Sequence, residues 1–255
     1  MPELLAPSLP GADATRREPA FAHVNSPVAD VSEAIAHITD ADAVAAQGDA
    51  ESLPVGLEVA VLIVCHNGLE YLTDCLNSVL ASDDGPLNVR CVVVDNASSD
   101  GSAEWVAGRF PGVELIRRRE NLGFAGGNNV GWDYVHRLYP NVQYVALLNQ
   151  DTVVRSGWLA ALVAHLEKRP TVACAQSKVM LHPRVDRLNT AGNVSHFLGF
   201  GFTTACGERD FGQFQQHRTL GLASGAAMIV RADAIARAGL FDDVFFAYLE
   251  DADLS

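Results

Sequence analysis

Carboxylates and amides recur in this sequence where apolar runs stop. His66-Asn67-Gly68 follows the run 59–65, Asp95-Asn96 ends the run 89–94, Glu120-Asn121-Leu122-Gly123 comes soon after 113–116, and Asn149-Gln150-Asp151 follows 144–148. An ionised carboxylate only accepts hydrogen bonds, so Asp95 can hold an imide N–H or a ribose hydroxyl; an asparagine both donates and accepts. Asn149 and Asp151 stand two apart at a strand tip, where alternate side chains point the same way. Two oxygen-bearing groups there suit a hard divalent cation that keeps several waters. Near the end, Glu250 and Asp251 lie among apolar residues in GLFDDVFFAYLEDADLS. Carboxylates gathered in an apolar setting raise one another's pKa, which suits one of them to act as a base. Asp242 and Asp243 instead read as the acidic first turn of a helix.

Each signal has a plainer account when taken singly. Asp95 and Asn96 can make an Asx turn, Asn67 can close a turn, and Asp151 can open one before Thr152. The segment ENLGFAGGNNVG is more specific: Gly123, Gly126, Gly127 and Gly131 permit close backbone approach to a ligand or a positive φ. A flexible loop explains those glycines but not Asn121, Asn128 and Asn129 among them. The spacing is neither the dinucleotide fingerprint nor a phosphate-binding P-loop, which needs GK[ST]. No GxSxG elbow is present, and the histidines show no metal-ligand spacing, so each reads as a surface or internally satisfied side chain.

The elements that must carry these residues alternate. Residues 59–64, 89–94, 113–116 and 144–148 are short, continuous apolar runs, the pattern of strands buried on both faces. Leu69, Leu72, Leu76, Val79 and Leu80 recur at helical spacing, and helices are predicted over 101–110, where Ser98, Ser99 and Asp100 supply caps, and over 126–139 and 158–168. Later strands are predicted at 172–177 and 226–230. Repeated βα units predict a three-layer α/β/α sandwich around a mostly parallel sheet, with the ligand site beyond the carboxyl ends of the strands.

Composition narrows the function classes. The 255 residues carry 31 acids against 18 bases, a net charge of −13, which disfavours a nucleic-acid partner. With 49% hydrophobic residues, disorder throughout is excluded, and the apolar stretches fall short of the ~20 residues a membrane span needs. Five widely spaced cysteines form no CxxC pair, and the N-terminus lacks the pattern of a secretory signal, so a reducing, cytoplasmic setting is expected. Residues 1–54, rich in Ala, Pro, Asp and Glu, read as a disordered or loosely docked acidic arm, with a family-specific extra helix as the alternative.

The order of motifs carries more than any one of them. IVCHNG (63–68), VVVDNASSDGS (92–102), ENLGFAGGNN (120–129), LLNQDT (147–152), SGAAMIVR (224–231) and GLFDDVFFAYLEDADL (239–254) together resemble the family 2 glycosyltransferases, in particular their rhamnosyltransferase-like branch. The resemblance covers roughly three quarters of the chain and leaves residues 1–54 aside. It implies a GT-A fold over residues 55–255 and inverting transfer of a sugar, rhamnose by similarity, from a nucleotide-diphospho-sugar donor to a saccharide or lipid-linked acceptor. Asn67, Asp95, Asn96, Asn121, Gly123, Asn128 and Asn149 would then bind the donor, Asp151 would coordinate Mg2+ or Mn2+, and Glu250-Asp251 would match the family's ED pair, with Asp251 the general base. Asn149 stands where the family's DxD motif has its first acid, so the cation is expected to rest chiefly on Asp151 and to be held more weakly. The chain stops directly after the ED block, and a missing C-terminal region that binds acceptor and touches the membrane is expected. Two other readings stand beside this one: a sugar-nucleotide pyrophosphorylase, whose Gly-, Arg- and Lys-rich first loop is unlike CHNGLEY, and a catalytically impaired nucleotide-sugar-binding fragment.

Overall fold

The computed structural model describes residues 53–198 and 200–255, so nearly all of the acidic arm lies outside the described residues. The first half is a run of βα units: β1 (Glu58–Cys65), α1 (Leu69–Leu80), β2 (Asn88–Asp95), α2 (Ser102–Arg109), β3 (Glu114–Arg117), α3 (Gly123–Leu138), β4 (Tyr144–Asn149) and α4 (Trp158–Glu167). Next come β5 (Cys174–Gln176), the short pair β6 (Val179–Met180) and β7 (Leu188–Thr190), and the ribbon β8 (Asn193–Ser195) and β9 (Gly201–Thr203). β10 (Ala227–Arg231), α5 (Ala232–Ala238) and α6 (Glu250–Leu254) complete the chain.

Six strands form one sheet in the order β3-β2-β1-β4-β10-β5. β1 lies parallel between β2 and β4, pairing Cys65 with Asp95 on one side and Val64 with Asn149 on the other. Three strand tips therefore end side by side. β10 runs antiparallel to β4, with Ala227 opposite Leu148, which brings the residues just before β10 to the same edge of the sheet. That reversal is invisible in the sequence, because a five-residue apolar run has no polarity of its own.

The apolar runs are continuous because both faces of the sheet are covered. Val59, Val61 and Ile63 pack with Leu72 and Leu76 of α1, Val106 of α2 and Leu159 of α4. Ala60 and Leu62, one residue out of phase, pack with Trp132 and Val135 of α3 and Ile235 of α5. Three layers result, as expected. The described cysteines are all free thiols, and burial pushes Cys91 up to about 12, so it behaves as a small hydrophobe. Among the described residues no helix is long and apolar enough to cross a membrane.

Three local expectations need correction. α3 starts at Gly123 rather than 126, because side-chain amides and a carbonyl, described below, satisfy its first N–H groups. Asp242 and Asp243 do not open a helix; Asp242 Oδ1 accepts the Val244 N–H in a turn, and Asp243 Oδ1 accepts a bond from Asn129. Ser98 and Ser99 do not cap α2. Asp100 serves both neighbouring helices, accepting the Ser102 N–H and hydroxyl through Oδ1 and the Leu69 N–H of α1 through Oδ2. These bonds hold its carboxyl below the usual range despite its partial desolvation.

Two glycines of α3, Gly127 and Gly131, have a packing role that the sequence reading did not give them. A Cβ on Gly127 would lie 2.6 Å from Val64 Cγ1, and one on Gly131 would lie 3.2 Å from Leu62 Cδ1. They let the helix approach β1 rather than let backbone approach a ligand. Gly127→Ala therefore sets two effects against each other. Helix propensity favours alanine by about 1 kcal/mol, while overpacking a stiff β-branched neighbour costs about 1–3 kcal/mol. The expected outcome is a net loss of stability in urea unfolding; a stabilised variant would contradict the close approach.

Candidate active site

A cleft of about 260 Å3 opens at the strand tips, lined by Val64 and His66 at the end of β1, Asn96 after β2, Asn121, Gly123 and Phe124 at the start of α3, and Asn149, Gln150 and Asp151 at the end of β4. Phe246 and Ala247, from the loop before α6, form the remaining wall. Its place follows from topology: the chain leaves β1 toward β2 and β3, then returns through α3 to β4 on the other side. Between β1 and β4 the loops must part, which is where open α/β sheets hold ligands.

Asparagines build the wall nearest α3. Asn96, almost fully buried, donates from Nδ2 to Asn121 Oδ1 and to the Gly123 carbonyl, both at 2.8 Å, and accepts the Leu122 N–H at Oδ1. Asn121 Oδ1 also accepts the Gly123 N–H, and the Phe246 carbonyl accepts the Phe124 N–H at 2.7 Å. The amides that open α3 are thus spent on the protein. Asn129 ties α3 to the last loop, donating to the Phe241 carbonyl and Asp243 and accepting the Phe241 N–H. Gly123 is required where it stands: its φ is +73°, and a Cβ would sit 2.0 Å from the Phe246 carbonyl oxygen.

Gln150 and His66 lie inside motif blocks at strand ends, but the sequence reading gave neither a site role. Gln150 Oε1 accepts the His66 N–H at 3.0 Å and its Nε2 donates to the His66 carbonyl, clamping the β4 tip to the β1 tip. A side chain at Gly68 would strike this amide at 2.2 Å. The His66 ring in turn bonds the Asn96 carbonyl through Nδ1 at 2.9 Å. One relay therefore joins the loops after β4, β1 and β2.

The expected site residues divide into four groups. Asn96, Asn121, Gly123, Asn149 and Asp151 line the cleft. Asn67 and Asn128 lie outside that lining with their amides engaged: Asn67 Oδ1 accepts the Ser99 N–H, and Asn128 Nδ2 donates to the Phe124 carbonyl within α3. Asp95, 5% exposed at the β2 tip, keeps Oδ1 without a protein partner. The ED pair, Glu250 and Asp251, is not among the residues that line the cleft. Asp251 Oδ2 accepts the Gly225 N–H at 3.0 Å, and a Cβ on Gly225 would lie 3.0 Å from the Phe124 ring and 3.7 Å from Asp251 Cβ. Since the Ala226 carbonyl accepts the Asn149 N–H, Asp251 is fastened next to the β4 tip. Tyr248 and Leu249, directly before the pair, both have φ near +73°, a strained conformation for side-chain-bearing residues that costs about 1–3 kcal/mol each.

A six-stranded mixed sheet with the cleft at its switch point is an α/β architecture of the GT-A kind, the fold its solved structural neighbours share. The glycosyl transferase family 2 model matches residues 60–236, and the chain belongs to that family. The pre-mycofactocin glycosyltransferase of Mycobacterium tuberculosis is 26% identical over 215 residues, 84% of this chain, and the chain spans only 41% of that protein's length. The N-acetylglucosaminyl-diphospho-decaprenol L-rhamnosyltransferase of the same organism is 24% identical over 211 residues, covering 76% of this chain and 68% of that protein. Among solved structures, GalNAc-T7 with UDP, GalNAc and Mn2+ superposes with a TM-score of 0.60 at 16% identity, over 78% of this chain and 40% of that one. The mannosyltransferase PcManGT from Pyrobaculum calidifontis with GDP-Man and Mn2+ gives 0.53 at 19% identity, over 88% and 61%.

Glu250 offers a test of this geometry. It is 5% exposed with Oε2 unpartnered, and burial pushes its carboxyl above the usual range, the Asp251 charge adding to the effect. A raised folded-state pKa means the folded chain resists ionisation. The penalty is absent below the unfolded pKa and grows as pH rises toward the folded one. Glu250→Gln removes it, so the Tm difference between variant and parent should move in the variant's favour from about pH 4 to about pH 8 in scanning calorimetry. A difference independent of pH would contradict a buried, ionisable Glu250.

Proposed function

We propose that this chain is an inverting glycosyltransferase that moves a sugar from a nucleotide-diphospho-sugar to a hydroxyl of a lipid-linked saccharide. The observation that carries this reading is the cleft at the β1–β4 switch point, with Asp151 on its wall and Asp251 fastened beside the same strand tip. Asn96, Asn121, Gly123 and Asn149, which line the cleft, contact the donor, and Asp95, buried at the β2 tip beside them, completes that set; Asn67 and Asn128 shape the loops that hold it. The name of the rhamnosyltransferase relative, with its decaprenol diphosphate, supports a lipid-linked acceptor and makes rhamnose the favoured sugar. Such an acceptor places the protein at the cytoplasmic face of a membrane.

The cleft suits a divalent cation in one particular way. Asn149, Gln150 and Asp151 present oxygen donors with a single carboxylate, and among the described residues no group of three His, Cys, Asp or Glu side chains forms a metal cage. Mg2+ and Mn2+ sites of this type use one or two carboxylates and complete the shell with waters and substrate phosphates. A cation held by Asp151 would neutralise the departing diphosphate. The Mn2+ named with two of the solved structures supports that assignment. Asp251 takes the proton of the acceptor hydroxyl as its oxygen attacks the anomeric carbon from the face opposite the leaving group, which inverts that centre. The Gly225 N–H fixes the Asp251 carboxylate for this, with buried Glu250 beside it at the start of α6.

Two variants separate the roles. Asp251→Asn should lower turnover by ~10²–10⁴-fold while leaving donor affinity unchanged. Asp151→Asn should weaken Mn2+-dependent donor binding at least about tenfold, the loss expected for one charge-assisted contact. Titration calorimetry and release of labelled sugar from UDP, dTDP and GDP donors measure both. Turnover that survives Asp251→Asn, or a parent chain that binds donor and never transfers it, would overturn the reading.

A further inference from the structure

The β8–β9 ribbon carries apolar side chains that none of the described residues covers. Phe197 is 88% exposed, Leu198 63% and Phe200 60%, with Val194 and Phe202 exposed on the two arms. The ribbon is closed by the His196 N–H bonding the Phe200 carbonyl, and the His196 ring lies 4.2 Å from that of Phe197 and 6.2 Å from that of Phe202. Neither strand has a buried residue: β8 runs from half-buried to exposed, and β9 is exposed throughout. A two-stranded ribbon with both faces wet is marginal in water, and a contiguous aromatic tip on one marks an interaction surface.

Charge and shape select the occupant. The twenty residues 188–207 contain no Asp, Glu, Lys or Arg, in a chain with 31 acids. Over 178–218 the balance is five Lys and Arg against three Asp and Glu, the reverse of the chain's net −13. This is therefore a stretch that an anionic surface does not repel. A ribbon exposed on both faces is a wedge rather than a groove, and wedges of Phe and Leu enter the fluid boundary between lipid headgroups and acyl chains.

The base of the ribbon meets the candidate site. Asn193 exchanges both backbone hydrogen bonds with Leu222, three residues before Gly225, whose N–H holds Asp251. We propose that the β8–β9 ribbon inserts its Phe197–Leu198 and Phe200 tip into a lipid bilayer, seating the Asp251 side of the cleft against the membrane surface. An acceptor carried on a lipid then reaches the base without leaving the bilayer.

The test uses the full chain and sedimentation with vesicles of about three parts phosphatidylcholine to one part phosphatidylglycerol, the anionic fraction standing for a cytoplasmic leaflet. Neither donor nor metal is added, so failure here leaves the transfer reading untouched, and failure of that reading leaves this one standing. The parent should sediment with the vesicles. The double variant Phe197→Ser and Phe200→Ser should lose roughly a hundredfold in partition, about tenfold per aromatic ring withdrawn. Val55→Ser, which removes an equally exposed apolar side chain elsewhere, should bind like the parent. In the variant Phe197→Trp, brominated lipids should quench added emission that the parent lacks. A parent that stays in the supernatant, or a double variant that sediments undiminished, overturns the proposal; retention of the tip by a protein partner with no vesicle binding does the same.

Discussion

The candidate site depends on β1 being paired in parallel on both edges at once. Each face of that strand is buried against a different set of helices, so a slip of one residue would exchange Val61 and Ile63 for Leu62 and expose the wrong set on both sides. Register is thus enforced twice by apolar packing, and the tips at Cys65, Asp95 and Asn149 have to finish level. The polar residues that follow are brought together by a core that contains none of them. The antiparallel β10 extends the same logic, since its pairing with β4 delivers Gly225 and Ala226 to the edge where Asp251 is held.

Once gathered, the loops are locked by amides. Gln150 clamps the β1 tip, His66 reaches the Asn96 carbonyl, and Asn96 satisfies both Asn121 and the backbone that opens α3. Side-chain amides suit this work because each can donate and accept at once and none carries a charge that burial would penalise. Asp151, on the cleft wall, is the carboxylate placed to offer acceptors to a donor, whereas the unpartnered Oδ1 of Asp95 is buried outside the cleft lining. Backbone strain at Tyr248 and Leu249 falls where the Phe246 carbonyl crosses Gly123, so the loop that closes the cleft is also what sets the entry to the ED pair.

Much of this was legible in the sequence, and the exceptions have physical causes. The parallel strands and their helices were readable because two-sided burial writes a continuous apolar run, and the order of six motif blocks pointed to the family. β6 to β9 were not, because strands of two or three residues are too short to leave a periodic trace. In ENLGFAGGNNVG, Asn128 and Asn129 make bonds within the protein that their types did not announce, and Gly127 and Gly131 serve helix–sheet contact. A side chain's type tells what it can bond, not whether a neighbouring backbone group reaches it first. Gln150 shows the converse: nothing in its type announced that it would join two strand tips.

The central claim is that a nucleoside diphosphate and a divalent cation meet at the strand tips beside Asp151. Paramagnetic broadening by Mn2+ in the amide spectrum, recorded with UDP, dTDP or GDP present, tests it most directly. The account predicts loss of signal centred on residues 149–151, 121–124 and 246–247, dependent on both nucleotide and Asp151. Broadening confined to acidic stretches elsewhere, or indifferent to the nucleotide, would contradict it.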